Sequence, residues 1–111
     1  MNEKQLTAAL FDRYRKLGLP RTKMFANANY GAFGQVGLTR GIFDLTIHTP
    51  GPGPLVRYLE LKTPNGKLSK AQDEFRIHCV ELGIPCAVAF GLDEAVGVLE
   101  DWKVIRPEAR K

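Results

Sequence analysis

The stretch YLELKTPNGKLSKAQ, residues 58–72, decides how this chain folds. It begins inside the run LVRYLELK at 55–62, whose alternation predicts a β-strand. The alternation places Tyr58, Glu60 and Lys62 on one face of this strand and Arg57, Leu59 and Leu61 on the other. A turn at 64–66 follows, and Ser69 then caps a helix that ends at Gly83. The stretch therefore predicts a strand, a tight turn and a helix in succession.

The segments on either side of this stretch predict the rest of a small sheet. The run IPCAVAF at 84–90 is short, mostly apolar and bounded by chain breakers, so we predict a buried strand there. With the preceding strand and helix it forms a βαβ unit. Upstream, IFDLTIH at 42–48 alternates like a strand, and the proline-rich TPGPGP at 49–54 is the loop of a long hairpin.

Both ends of the chain are predicted to be helical. Asn2 caps a helix over 3–17, with Gln5 completing a capping box and Gly18 as the stop, and Glu3 lies on the side that faces the domain. In the segment 22–41 a short strand is predicted at 23–26, and the glycine-rich stretch that follows it is predicted to be an irregular loop. Asp93 is predicted to cap a last helix whose inward stripe contains Ala95, Val98, Leu99 and Trp102. The order αβββαβα predicts an α/β fold with a small mixed sheet flanked by helices, in a single domain over 1–111.

Composition narrows the class of protein. The 111 residues are 44% hydrophobic and 25% charged, as in a soluble globular domain. No apolar run approaches the roughly eighteen residues of a membrane helix, and the N-terminus lacks a secretory pattern, so we predict a cytoplasmic protein without membrane contact. Cys79 and Cys86 have neither a zinc-ligand spacing nor an oxidising setting, and are predicted to be small core residues.

Positive charge is concentrated in the first third of the chain. The net charge is +4, and residues 1–40 carry seven Lys and Arg against two acids, which is +5. A basic region beside an acidic cluster suits a polyanion held near a metal ion, although a basic face that only keeps the protein soluble fits the charge equally well.

Two acids and a lysine carry the predicted chemistry. If the hairpin strands pair around the 49–54 loop, Asp44 and Glu60 reach one cation, with Lys62 on the same face. Two carboxylates are the hard oxygen ligands that Mg²⁺ or Mn²⁺ prefers, and such a metal with a nearby ammonium suits phosphodiester hydrolysis. The alternative is a surface salt bridge between Glu60 and Lys62, against which the apolar neighbours argue, because unpaired charge is costly in a central strand.

Other polar residues near this strand have two possible roles each. Gln72 shares the inward stripe of its helix with Leu68, Phe75, Cys79 and Leu82, so it either enters the site or only completes the capping box of Ser69. Arg40, Lys67 and Lys70 are candidate phosphate contacts or merely solvent-facing. Tyr58 faces the site by parity and either packs or contacts substrate. His48 is either a base or, as its place near the hairpin loop favours, a residue outside the site, and His78 is expected to be exposed or partly packed on the helix.

Five segments together resemble a known family. They are FANANYG at 25–31, RGIFDL at 40–45, LELK at 59–62, GKLSKAQ at 66–72 and the helix that ends at Gly83. In this order the chain resembles the VRR-NUC domains, the virus-type replication-repair nucleases of the PD-(D/E)xK superfamily. The resemblance implies the restriction-endonuclease-like core of that superfamily over almost the whole chain.

The resemblance also implies roles for individual residues. It implies that Asp44 and Glu60 bind Mg²⁺ or Mn²⁺, that Lys62 is the catalytic lysine and that Gln72 is the site glutamine. Glu3 matches the acid that such families place on the first helix, as a further metal ligand. One departure is visible, since the family commonly has Gly-x-Pro-Asp where this chain has Gly41-Ile-Phe43-Asp44. A change in how the chain enters the strand is expected, rather than loss of activity.

The resemblance to stand-alone members of this family implies that the chain is a DNA endonuclease that acts in repair. They resemble phage or bacterial enzymes that act as homodimers on branched DNA, including four-way (Holliday) junctions, and a two-fold dimer matches the two-fold symmetry of such a junction. Two alternatives remain. One is another PD-(D/E)xK nuclease, of the restriction or exonuclease type, and the other is a DNA-binding scaffold with a degenerate site.

Overall fold

The computed structural model describes residues 1–28 and 40–108. The helices are α1 (Glu3–Leu17), α2 (Lys70–Leu82) and α3 (Leu92–Asp101), and the strands are β1 (Lys23–Ala26), β2 (Leu45–His48), β3 (Val56–Lys62) and β4 (Cys86–Phe90). The predicted order αβββαβα is therefore confirmed. Most of the predicted 22–41 loop lies outside the described residues.

The four strands form one mixed sheet in the order β1-β2-β3-β4. β1 pairs with β2 and β2 with β3 in antiparallel fashion, whereas β3 and β4 are parallel, with Glu60 opposite Val88. This arrangement is the predicted hairpin followed by a βαβ unit. It gives β3 a central place, with neighbours on both sides.

The two faces of β3 meet different helices, as the alternation predicts. Leu59 and Leu61 belong to the main apolar core, which also contains Leu10 of α1 and Leu99 of α3. On the opposite face, the ring of Tyr58 packs edge-on against Phe75 of α2, with 5.0 Å between ring centroids. Both faces of the central strand are covered, and this is why Glu60 and Lys62 are buried together with the leucines.

The predicted helix ends are confirmed at α1 and α2. Asn2 with Gln5, and Ser69 with Gln72, each form a complete capping box. Gly83 ends α2 in the left-handed conformation, with φ of 71°, which glycine adopts at little cost.

Three predictions about individual elements are wrong. The strand predicted at 42–48 begins only at Leu45 and leaves Asp44 outside it, because the Asp44 side chain takes the place of a backbone hydrogen-bond partner. The buried strand predicted at 84–90 is β4, an edge strand of the described sheet in which Ala89 alone is buried. Asp93 does not cap α3, because the helix begins at Leu92 after Gly91 and has no side-chain cap.

Two side chains predicted to lie in the core are exposed or half-exposed. Leu82, placed on the inward stripe of α2, is 64% exposed. Residues 80–83 are all exposed, so the last turn of α2 extends beyond the sheet. Cys79 is buried as predicted, whereas Cys86 is half-buried because it lies on the edge strand, and both thiols are free. Among the described residues, no helix has the length and apolar character needed to cross a membrane.

Candidate active site

Asp44 and Glu60 are held by hydrogen bonds that run between β3 and the segment before β2. The backbone N–H of Asp44 donates to Glu60 Oε1 at 3.0 Å, and the N–H of Leu61 donates to Asp44 Oδ2 at 2.9 Å. Each carboxylate thus accepts a hydrogen bond from a backbone N–H of the opposing segment. Hydrogen bonds from backbone N–H groups favour the charged carboxylate and fix its direction.

Glu3, the first residue of α1, completes a cluster of three acids. One oxygen of each of Glu3, Asp44 and Glu60 lies within 4.8 Å of the others. Glu3 is exposed, Asp44 half-buried and Glu60 fully buried, so the cluster extends from the protein interior to the surface. Three carboxylates at this separation form the hard oxygen donor set that Mg²⁺ and Mn²⁺ prefer, and the site therefore fits a divalent cation.

The buried member of the cluster is unfavourable as an isolated anion. Burial, and then the neighbouring Asp44 carboxylate, raise the pKa of Glu60 to about 8 from its ordinary value of 4.5. Both causes act against negative charge at this position. A bound cation would offset the negative charge, so the buried, acid-rich environment that raises the pKa of Glu60 in the metal-free protein suits a cation.

Lys62 lies on the same face of β3 as Glu60. Its Nζ is 3.5 Å from Glu60 Oε2, and its side chain is only 10% exposed. The two side chains are therefore in contact, as the alternative interpretation predicted, but the contact is buried rather than on the surface. Burial and the Asp44 carboxylate raise the pKa of Glu60 more than this ammonium lowers it, so the contact is an ion pair only when Glu60 is ionised.

Gln72 has both of the roles that the sequence left open. Its backbone N–H donates to Ser69 Oγ at 3.1 Å and its Oε1 accepts from the Ser69 N–H at 2.9 Å, which closes the capping box. At the same time its Nε2 donates to Glu60 Oε2 at 3.0 Å. One amide side chain therefore ties the start of α2 to the buried acid of the cluster.

A cavity of about 420 Å³ opens beside these residues. Its lining combines acidic, basic and small residues: Glu3, Arg40, Gly41, Lys62, Lys67, Ser69, Ala71 and Gln72. Arg40 and Lys67 thus lie at the cavity. Lys70 is exposed and does not line it, so the structure does not bring Lys70 together with the others.

The remaining candidates lie outside the cluster. His48 is exposed and packs against Phe25, with 4.8 Å between ring centroids, and His78 is exposed on α2. Tyr58 packs on Phe75 and does not line the cavity, which favours the packing role. These positions agree with the expectation that neither histidine belongs to the site.

Three residues near the cluster had no predicted role. Gly41 and Ala71 line the cavity together, and Asn27 holds the segment that carries Asp44. Gly41 and Asn27 both fall in segments that carried the family resemblance, but nothing in their spacing indicated contacts with α2 or β2. The sequence feature that could have singled out Gly41 is its position three residues before Asp44, where the family pattern also has glycine.

Of the comparisons with known proteins, only the one with solved structures bears on the fold, and it shows nothing beyond the fold. No protein-family model matches this chain, and no curated protein sequence matches it. The fold does match a solved structure described as "VRR_NUC domain protein", with a TM-score of 0.74 over 90% of this chain and 86% of that chain. The sequences are 18% identical. The chain therefore has the α/β fold of a VRR_NUC domain protein, and the predicted fold class is confirmed.

Proposed function

We propose that this protein is a metal-dependent DNA nuclease of the VRR-NUC family that hydrolyses phosphodiester bonds. The observation that carries the proposal is the cluster of Glu3, Asp44 and Glu60 within 4.8 Å, with Lys62 at 3.5 Å from Glu60. Asp44 and Glu60 accept hydrogen bonds that fix their direction, on a fold shared with a VRR_NUC domain protein. A merely solvated acidic patch would have neither the burial nor these bonds.

The three acids would hold Mg²⁺ or Mn²⁺. When bound, such an ion polarises the scissile phosphate and lowers the pKa of a coordinated water. Glu60 and Asp44 would contribute oxygens that the hydrogen bonds between β3 and the segment before β2 already orient. Glu3 adds an exposed carboxylate at the cavity, where exchange with solvent is easiest.

The remaining residues of the site act on the phosphate and on the ligands. The Lys62 ammonium orients the attacking water or stabilises the negative charge that develops on the phosphoryl oxygens. Gln72 fixes the direction of the Glu60 carboxylate through its 3.0 Å hydrogen bond. Arg40 and Lys67 line the cavity and would hold neighbouring phosphates of the nucleic acid, with Lys70 further out on the surface.

The substrate we propose is branched DNA, such as a four-way junction, cut by a homodimer. A subunit with one site needs a partner to cut two strands, and a two-fold dimer fits a two-fold junction. The concentration of positive charge in residues 1–40 supports a polyanionic substrate. Repair of branched DNA in a bacterial or phage-infected cell is the matching cellular role.

The test is cleavage of labelled four-way junction, flap, duplex and single-stranded DNA with Mg²⁺, Mn²⁺ or EDTA. We expect the wild type to cut the junction only with metal. Lys62→Ala is expected to cut on the order of 10²–10³ times more slowly, because a charge that stabilises the transition state is removed. Lys103→Ala, which removes an exposed lysine after α3, outside residues 1–40 and away from the cavity lining, is the matched control and should cut like the wild type.

Each other result would support a different function for this protein. Binding of DNA without cleavage under every metal condition would replace the nuclease by a DNA-binding scaffold. Metal-dependent cleavage of duplex or of DNA ends, with no preference for branches, would keep the nuclease and assign the restriction or exonuclease type. Full activity of Lys62→Ala would contradict the assigned role of the lysine.

A second prediction separates the two roles of Gln72. Ser69→Ala should lower the free energy of unfolding by about 1 kcal/mol, the usual cost of losing an N-cap, with little change in cleavage rate. Gln72→Ala should lose comparable stability and also cleave more slowly, since Glu60 loses its 3.0 Å donor. Urea unfolding and cleavage rates of both variants provide the comparison. Equal cleavage by the two variants would leave Gln72 with the capping role alone.

A further inference from the structure

Asn27 extends the pairing of β1 and β2 by one residue. The strand ladder ends at Ala26 opposite Leu45, and the backbone N–H of Asn27 then donates to the carbonyl of Asp44 at 2.8 Å. The Asn27 side chain continues in the same direction, since its Nδ2 donates to the carbonyl of Phe43 at 2.7 Å. The chain at Asp44, a proposed metal ligand, is therefore held from β1 as well as from β3.

Thr46 fixes the orientation of the Asn27 amide. Its Oγ1 accepts from Asn27 Nδ2 at 2.9 Å and donates to Asn27 Oδ1 at 3.1 Å. Because the Phe43 carbonyl can only accept, the amide nitrogen is the atom that faces it, and the Thr46 hydroxyl holds the amide in this place. A surface asparagine that only filled space would not show this pattern of satisfied partners.

The peptide unit between Phe43 and Asp44 is consequently held at both ends. Its carbonyl accepts from Asn27, and its N–H donates to Glu60 Oε1. The Phe43 ring is fully buried and packs on Phe75, with 5.2 Å between centroids. The ring positions the chain, but the rotation of the peptide plane depends on the two hydrogen bonds. That plane sets the direction of the Asp44 side chain and of the N–H that orients Glu60.

We propose that Asn27 is a positioning residue for the metal site, which acts on Asp44 and Glu60 together through the Phe43–Asp44 peptide. This inference rests on the proposed function, because it needs the two acids to bind a metal.

The experiment is calorimetric titration of metal-free protein with Mn²⁺, together with thermal unfolding in EDTA. Asn27→Ala is expected to bind Mn²⁺ about tenfold more weakly, the usual effect of removing a residue that orients metal ligands. Thr46→Val keeps a strand-forming side chain, leaves Asn27 its bond to Phe43, and should weaken binding less. Thr49→Val is the matched control, because Thr49 makes two side-chain hydrogen bonds, to Pro54 and Arg57, beyond the other end of β2.

The outcomes distinguish the inference from the function on which it rests. Weaker Mn²⁺ binding by Asn27→Ala, with wild-type binding by an equally destabilised Thr49→Val, supports the positioning role. Binding within twofold of the wild type in Asn27→Ala overturns it, as does an equal loss in Thr49→Val. If Asn27→Ala does not fold, unchanged binding by Thr46→Val overturns it instead. A wild type that cleaves DNA and binds Mn²⁺ keeps the proposed function in each of these cases, whereas a wild type that binds no Mn²⁺ overturns both.

Discussion

Glu60→Gln is expected to abolish divalent metal binding and to remove a pH dependence from the stability of the metal-free protein. The amide cannot supply the anionic oxygen that a hard cation requires, so we expect Mn²⁺ affinity to fall by at least about 100-fold. The same change removes a buried acid whose pKa is raised to about 8. The two effects are measured separately, by calorimetry and by urea unfolding in EDTA.

The sign of the pH effect follows from the direction of the shift. Between about pH 4.5 and pH 8 the folded protein keeps a proton on Glu60 that the unfolded chain has lost. Unfolding therefore releases protons in this window, and the stability conferred by the protonated acid is complete below pH 4.5 and is lost as the pH rises through 8. The slope approaches about 1.4 kcal/mol per pH unit for one group. Glu60→Gln should lack this slope.

The control for Glu60→Gln is a glutamate that lies on the exposed surface of α2. Glu81→Gln makes the same change at an exposed position of α2 and should retain the wild-type slope. Mn²⁺ binding to the wild type should strengthen as the pH rises toward 8, because the metal must displace the proton of Glu60. An identical pH slope in the wild type and Glu60→Gln would show that this acid is not protonated in the folded protein.

Gly41→Ala is expected to be the most destabilising single-methyl change near the site. Gly41 has φ of +81°, and a Cβ added there would lie 2.3 Å from the carbonyl carbon and oxygen of Ala71 and 2.8 Å from its Cβ. Since two of these atoms belong to the backbone of α2, no side-chain rotation relieves the contact. Strain and overpacking together should lower the free energy of unfolding by roughly 3 kcal/mol or more. Urea unfolding measures this loss.

Gly83→Ala separates the two causes. Gly83 also has a positive φ, of +71°, but no atom lies within 4 Å of an added Cβ. This variant should therefore lose only the cost of the left-handed conformation, about 1–2 kcal/mol. An equal loss in the two variants would mean that the chain around Gly41 moves away from α2 without cost, and the close approach would then not matter.

Local chemistry made much of the fold predictable. The capping boxes of α1 and α2, the glycine stop of α2 and the two faces of β3 each depend on residues within a few positions of one another. Such short-range rules do not need the tertiary structure. The pairing of Asp44 with Glu60 was predictable because a hairpin loop fixes which residues lie opposite each other.

The parts that could not be predicted depend on contacts between distant segments. Asp44 lies outside β2 because its side chain accepts from the Leu61 N–H, and alternation alone cannot show that a side chain replaces a backbone partner. The double role of Gln72 required knowing that Glu60 lies 3.0 Å from the start of α2. Leu82 is exposed because the sheet does not cover the last turn of α2. The apolar periodicity of a helix shows which residues share a face, but not how far along the helix the sheet reaches.

The hydrogen bonds exchanged by Asp44 and Glu60 make the two acids part of the sheet as well as of the site. Each carboxylate serves as the acceptor for a backbone N–H that would otherwise find none in the ladder. Alanine at either position would remove a proposed metal ligand and also a hydrogen bond that holds the hairpin together. Loss of cleavage in an alanine variant would therefore not distinguish a chemical role from a structural one. Asparagine and glutamine keep an acceptor oxygen in place, and an inactive protein made with them for trapping an uncut DNA complex should preserve the native strand register.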